Sequence, residues 1–145
     1  MTTILPIDLQ SPHDVRRFLD LPYRLYRGHP LWVPPIRLDA ATQLNPRKHP
    51  YYEHSEAEFF LATREGQDVG RIALLENKPY NRYHSKRQGQ FYLFESIEDL
   101  EVARALFDVA SERARERGLT QLVGPKGFGA LDGYGMLVEG FEFRP

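Results

Sequence analysis

The stretch that most constrains this chain is Gln90 to Gly118, QFYLFESIEDLEVARALFDVASERARERG, where a strand runs directly into a helix. Phe91, Tyr92, Leu93 and Phe94 form an aromatic and apolar run bounded by Gly89 and Glu95, as a half-buried strand requires. Beyond it Leu100, Ala103, Leu106, Phe107, Ala110 and Ala114 recur at steps of three and four, which predicts one apolar helix face. Ser96 and Asp99 have the spacing of a capping box, worth about 1 kcal/mol, and Gly118 offers the left-handed residue that ends the helix. Burial of Leu106 and Phe107 contributes about 1.5–3 kcal/mol each, so the stripe outweighs the cap in holding the helix to a sheet.

The segments before this junction supply the rest of that sheet. Thr3 to Ile7 reads as a short first strand, restricted to an edge or an end by Pro6. Ser11, Pro12 and Asp14 read as N-cap, first helical residue and N3 acid of a helix carrying Val15, Phe18 and Leu19 inward, with a break or kink expected at Pro22. HPLWVPP and NPRKHP predict an extended wrap around a short helix at about Ile36 to Leu44. Trp32, the one tryptophan, either pins this wrap to the core or walls a ligand groove. Ala57 to Arg64 and Asp68 to Glu76, joined through Glu65, Gly66 and Gln67, predict a hairpin. A polar loop from Asn77 to Gln88 then leads into the strand at Phe91, giving three antiparallel strands in succession. After Gly118, Thr120 to Val123 predicts a further strand, parallel to its predecessor through a right-handed crossover.

Composition narrows the function classes. With 145 residues and 41% hydrophobic content, the chain is read as one domain, 1–145, burying about two thirds of its unfolded surface. It has no cysteine, which excludes thiol catalysis and cysteine zinc sites and fits a reducing cytoplasm. MTTILPIDLQ lacks a basic region and a long apolar run, so the expectation is a soluble cytoplasmic protein without a membrane partner. A formal net charge of -1 gives no general reason to bind nucleic acid; Arg82, His84, Lys86 and Arg87 form a local basic cluster that a solvated loop explains.

The order of these elements resembles the GNAT N-acetyltransferase superfamily over roughly the first two thirds of that fold. PYRLYRGHPLWVPP, HPYYEHSEAEFFLA, VGRIA and LVEGFE are similar to segments of longer bacterial GNAT-like proteins. The resemblance implies a mixed α/β fold with an incomplete sheet, and acetyl-CoA as co-substrate where Phe91 to Phe94 and Thr120 to Val123 splay apart. It also implies a small-molecule or peptide amine as acceptor, and a Q/R-x-x-G-x-G/A turn holding pyrophosphate between strand and helix. Here that place reads ESIEDLEVA, with no glycine and with Glu95, Glu98, Asp99 and Glu101, so the motif is carried onto no residue.

Each candidate for chemistry has an ordinary alternative. Glu95, directly after the strand, is the candidate general base; capping and a solvated turn are the alternative. Phe94 and Ser96 beside it are candidate cofactor contacts. Lys126 is a third, as a point charge within the glycine-rich Gly124 to Gly135 segment, which otherwise reads as a turn-rich connector. Tyr134 has the chemistry to protonate a thiolate but lacks the later helix in which the family places its tyrosine. His49 and His54, among Glu53, Glu56 and Glu58, have no known ligand spacing, so no metal is expected. Two readings follow: an acyl-CoA-dependent N-acyltransferase or its N-terminal part, and a non-catalytic GNAT-like module without a working pyrophosphate loop that binds a protein or a second copy through an open sheet edge.

Overall fold

The computed structural model describes residues 1–143; Arg144 and Pro145, the last two residues of the expected domain, lie outside them. The elements are β1 (Thr3–Pro6), α1 (Pro12–Leu25), α2 (Arg37–Gln43), a 3₁₀ turn (Pro50–Glu53), β2 (Glu56–Arg64), β3 (Gln67–Glu76), α3 (Lys78–Tyr83), β4 (Gln88–Ser96), α4 (Leu100–Glu116) and β5 (Gln121–Val123). The sheet order is β1-β2-β3-β4-β5, antiparallel throughout except for the parallel β4–β5 pair. This is the expected mixed α/β architecture with an unclosed sheet. Among the described residues no helix is long and apolar enough to cross a membrane.

The strands β2 and β3 are apolar almost without interruption because both faces of the sheet are covered. Phe60, Ala62, Ile72 and Leu74 face α4, where Val102, Leu106, Ala110 and Ala114 pack onto them. Phe59, Leu61, Ala73 and Leu75 face the other way, against Phe18 and Leu21 of α1, Leu44 and Tyr51. The alternation of neighbouring residues between two clusters is the pleat of the sheet made visible in packing. The hairpin between β2 and β3 turns on Glu65 and Gly66 alone, both at positive φ (51° and 76°), which leaves Gln67 inside β3 rather than in the turn.

Four expectations are corrected. The helix α1 does not break at Pro22 but runs on to Leu25. Proline removes the N–H that the Phe18 carbonyl would accept four residues back; that carbonyl is taken instead by Arg71 Nη1 of β3 at 2.8 Å. The helix α4 is capped by Asp99, whose carboxylate accepts from Glu101 N at 2.8 Å, while the Ser96 hydroxyl donates to Ile97 O. Its buried stripe is Val102, Leu106, Ala110 and Ala114, at steps of four, and Leu100, the first helical residue, is left 65% exposed. The loop before β4 contains α3, capped by Asn77 accepting from Tyr80 N.

Other expectations hold. Ser11 caps α1 by accepting from Asp14 N, Pro6 ends the edge strand β1, and Gly118 follows α4 at φ 73°. Trp32 packs on Tyr23 of α1 and on Tyr26, the residue that follows it, with centroids 5.4 and 5.3 Å away, which pins the wrap to the helix.

Candidate functional site

The strands β4 and β5 pair over only three residues, Gln88 to Gln90 against Gln121 to Val123. Past that ladder the chain leaving β5 makes a single backbone link to β4, Lys126 N to Phe91 O at 3.0 Å. Gly124 allows this approach, since a Cβ there would collide with the Phe91 oxygen. From Tyr92 onward no strand pairs with β4 on that side among the described residues, so the two strands part at mid-sheet.

A bulge occupies the same level of β4. Arg71 pairs with Glu95 and Ala73 with Tyr92, so β4 carries one residue more than β3 over this interval, and Leu93 takes φ 54°. Positive φ is uncommon for a leucine and costs about 1–3 kcal/mol where the surroundings hold it. Its consequence is directional: Tyr92 and Leu93, adjacent in sequence, both face the α1 side, while Phe91 and Phe94 face α4. Tyr92, Leu93 and Arg71 form the floor of a cleft of about 240 Å³ whose walls come from Leu19, Ile36, Asp39 and Leu44.

Under this floor lies a buried charged network. The Arg71 side chain is 5% exposed; it gives Nη1 to the Phe18 carbonyl, stacks over the Phe18 ring at 4.9 Å, and has Nη2 3.6 Å from Glu95 Oε1. Its Nε has no partner, and burial pushes the guanidinium below its ordinary range despite the opposing charge of Glu95. The Tyr26 hydroxyl donates to the other Glu95 oxygen, and burial, followed by that hydrogen bond, raises the phenol above its ordinary range. Glu95 is therefore the counter-ion of a buried arginine inside the sheet, and it caps no helix.

The sequence candidates do not converge. Phe94 packs on Phe107 of α4 at 4.9 Å, on the face opposite Glu95. Ser96 spends its hydroxyl on Ile97 O. Lys126 stands beyond β5 with Nζ 4.8 Å from the Tyr80 ring centre. Tyr134 is 80% exposed and bridges Lys126 through the backbone. His49 Nδ1 accepts from Tyr51 N, and His54 Nδ1 lies 2.7 Å from Ser55 Oγ. Among the described residues no three His, Cys, Asp or Glu side chains gather as metal ligands would.

The resemblance places a diphosphate at the start of α4, and the residues there do not fit one. Asp99 fills the helix end with its own carboxylate and pairs with Arg64 Nη1 at 2.7 Å; that bond and the Glu101 amide hold its carboxyl below the usual range. Glu101, 3.5 Å from Arg64, accepts from the Thr2 hydroxyl. The anion that a positive helix end attracts is already supplied by the chain itself.

Sequence reasoning missed Arg71, the Leu93 bulge and Phe128. Phe128, inside the supposed connector, is 6% exposed among Tyr51, Tyr52, Phe59, His49 and Tyr92, so it anchors the glycine-rich segment. A basic residue within the otherwise apolar VGRIALL run was the available signal for Arg71.

No family model matches the sequence. A curated relative from Caulobacter vibrioides named bacterial ceramide synthase is 34% identical over 140 residues, 96% of this chain and 36% of the relative. Protein YghO of Escherichia coli is 29% identical over 135 residues, 93% of this chain and 34% of that protein. The chain thus spans about a third of the length of the curated relatives it matches. Among solved structures, a tandem GNAT protein from the clavulanic acid biosynthesis pathway superposes on 88% of the chain with a TM-score of 0.66 at 20% identity, and the match covers 39% of that chain. A predicted acetyltransferase from Clostridium acetobutylicum, solved with acetyl-CoA, covers 85% with a TM-score of 0.57 at 12% identity, over 79% of its own length. With its parted β4 and β5, its crossover helix and these neighbours, the chain has the GNAT N-acetyltransferase fold.

Proposed function

We propose that this chain is an N-acyltransferase, or the part of one that carries the acceptor side of the site, joining an acyl group from acyl-CoA to an amine. The observation that carries the reading is the strained bulge at Leu93, which turns two consecutive side chains into a cleft at the level where β4 and β5 part. Strain of this kind is retained where it serves an arrangement that a regular strand cannot make. Two comparisons support the chemistry: the fold is that of N-acetyltransferases, and a ceramide, the product in the name of the Caulobacter relative, is an N-acylated amino alcohol.

In the cleft Asp39 offers an exposed carboxylate for an ammonium group, while Leu19, Ile36 and Leu44 provide apolar wall. Arg71 and Glu95 compensate each other beneath it, so the floor presents no net charge to the acceptor. Because the start of α4 does not accommodate the donor's diphosphate, no chemical step is assigned through the donor.

The test is amide formation. The protein is incubated with acetyl-CoA and a panel of primary amines, with free thiol and N-acyl product followed by absorbance and mass spectrometry, and with donor binding followed by titration calorimetry. Amide that depends on Asp39 and Leu93 supports the reading; no heat, no shift in melting temperature and no amide at millimolar donor overturns it.

A second reading, a GNAT-like module that binds a protein or a second copy, is favoured by the Asp99 cap and its Arg64 partner. It expects acetyl-CoA to leave melting unchanged and the mass by light scattering to rise with concentration; a strictly monomeric mass removes the self-pairing form.

A further inference from the structure

Two exposed apolar surfaces that the core does not explain carry opposite charge. The first is the wrap between α1 and α2, which gathers on Tyr23. The Tyr23 hydroxyl donates to Pro35 O at 2.7 Å, its ring meets Trp32, and the Arg37 guanidinium lies over that ring at 4.8 Å. Val33, Ile36 and Leu38 of the same stretch are each more than half exposed. Residues 23–38 include Arg24, Arg27 and Arg37 and no carboxylate. Arg37 pairs with Asp20, but among the described residues no carboxylate lies within ion-pair distance of Arg24 or Arg27.

The second surface is the end of the glycine-rich segment. Its root is fastened on the α1 side of the sheet: the Tyr92 hydroxyl donates to Asp132 O at 2.5 Å, and Gly135 N bonds to Pro125 O at 3.0 Å. From Met136 to Phe143 the one described backbone bond is a local turn, Phe143 N to Gly140 O. Leu131, Tyr134, Leu137, Val138, Phe141 and Phe143 are each more than half exposed. Together they leave on the order of 700 Å² of apolar surface in solvent, above the roughly 300–600 Å² of the largest patch on a typical monomer and near the roughly 800 Å² that each partner gives a stable complex. The charges between Gly129 and Phe143 are Asp132, Glu139 and Glu142, with no lysine or arginine among them.

We propose that residues 136–143 form an arm exchanged between two copies of this chain, each arm lying on the Tyr23 patch of the other copy. The basic, apolar patch and the acidic, apolar arm complement each other, and because both belong to one sequence the partner that fits is a second copy. Exchange in both directions closes on itself, which gives a dimer and no open fibre. This contact gives self-association a surface other than the sheet edge, and it rests on neither functional reading.

Sedimentation velocity and light scattering on the whole chain, over a concentration series at two salt concentrations, test it with two charge-reversed variants. In Arg24→Glu/Arg27→Glu the patch takes the sign of the arm; in Glu139→Lys/Glu142→Lys the arm takes the sign of the patch. Each variant alone is expected to dimerise at least about tenfold more weakly than the parent, since like charges then face each other. Mixed in equal amounts, the two are expected to form a heterodimer, because an acidic patch meets a basic arm and a basic patch meets an acidic arm. Parent dimerisation is expected to weaken as salt rises. Arg104→Glu, on the exposed face of α4, serves as the control and is expected to dimerise as the parent does. Melting temperatures establish that each variant is folded. A parent that stays monomeric at high concentration overturns the proposal, also where it sediments instead with phosphatidylcholine vesicles containing phosphatidylglycerol. A dimer that survives both reversals overturns it in favour of pairing at a sheet edge, and variants that stay monomeric when mixed overturn the exchange.

Discussion

Replacing Arg71 by methionine tests the account of how α1 passes through a proline. The substitution keeps an unbranched apolar stem and removes three things at once: the donor to the Phe18 carbonyl, the charge facing Glu95, and the partnerless Nε. Leaving the Phe18 carbonyl without a donor costs about 1–3 kcal/mol. Removing one partner of a buried ion pair costs about 3–5 kcal/mol, reduced here because Glu95 keeps its bond from Tyr26 and is 20% exposed. The relieved desolvation of the guanidinium offsets part of this, giving a net loss of about 2–4 kcal/mol. In urea that is a fall in midpoint of about 1–2 M with an unchanged slope, followed by Trp32 fluorescence and circular dichroism. The discriminating measurement is the same substitution in a Pro22→Ala background. The introduced alanine has the N–H that proline lacks, so it supplies the Phe18 carbonyl from within the helix and makes Arg71→Met less costly by about 1 kcal/mol. The loss of the buried proline ring cancels in the double-mutant cycle. Equal costs in the two backgrounds, within about 0.3 kcal/mol, would refute the argument that Arg71 replaces the donor removed by Pro22.

Phe128→Ala removes a ring from among Tyr51, Phe59 and Tyr92 and should cost about 3–5 kcal/mol in a urea titration; a cost below about 1 kcal/mol would show that the glycine-rich segment is not anchored through it. Gly124→Ala places a methyl group against the Phe91 carbonyl, and a loss of about 1–3 kcal/mol is expected together with faster hydrogen exchange of the Lys126 amide. Burial raises the Tyr26, Tyr51 and Tyr52 phenols above their ordinary range. A raised native value means that the unfolded chain gives up its proton first, so this stability is complete below about pH 10 and falls as pH rises beyond it. The urea midpoint should drop as pH rises from about 10 to about 11, less steeply in Tyr52→Phe; parallel profiles would refute the assignment.

Much of the sheet could be read from residues because its signals are local. A tight turn at Glu65 and Gly66 between apolar runs, read one residue too long at Gln67, a Ser11-Pro12-Asp14 start and a Gly118 stop each act within a few positions of themselves. The misreadings come from distant residues. Pro22 is tolerated because Arg71 sits across the interface, a compensation no local rule contains. Asp99 wins the cap from Ser96 because Arg64 of β2 supports its carboxylate. The site was less legible than the fold for the same reason. A bulge in β4 is defined by its pairing with β3, and nothing in QFYLFES marks Leu93 as the residue that carries it. Phe128 is one aromatic in a run of glycines until Tyr51 and Phe59 are seen around it.

The three-residue ladder between β4 and β5 also sets the order in which the molecule assembles and opens. The strands β2, β3 and β4 are neighbours in both sequence and sheet, so they close short loops and form early, whereas β5 joins only after α4 has been laid across the sheet. Its three pairs are then the first to be lost in a partial opening that leaves the meander intact. A ligand gripping both sides of that seam must raise the free energy of this opening by the free energy of its own binding. Exchange rates of the few amides in the ladder would therefore report occupancy of the opening, while those in β2 and β3 stay unchanged.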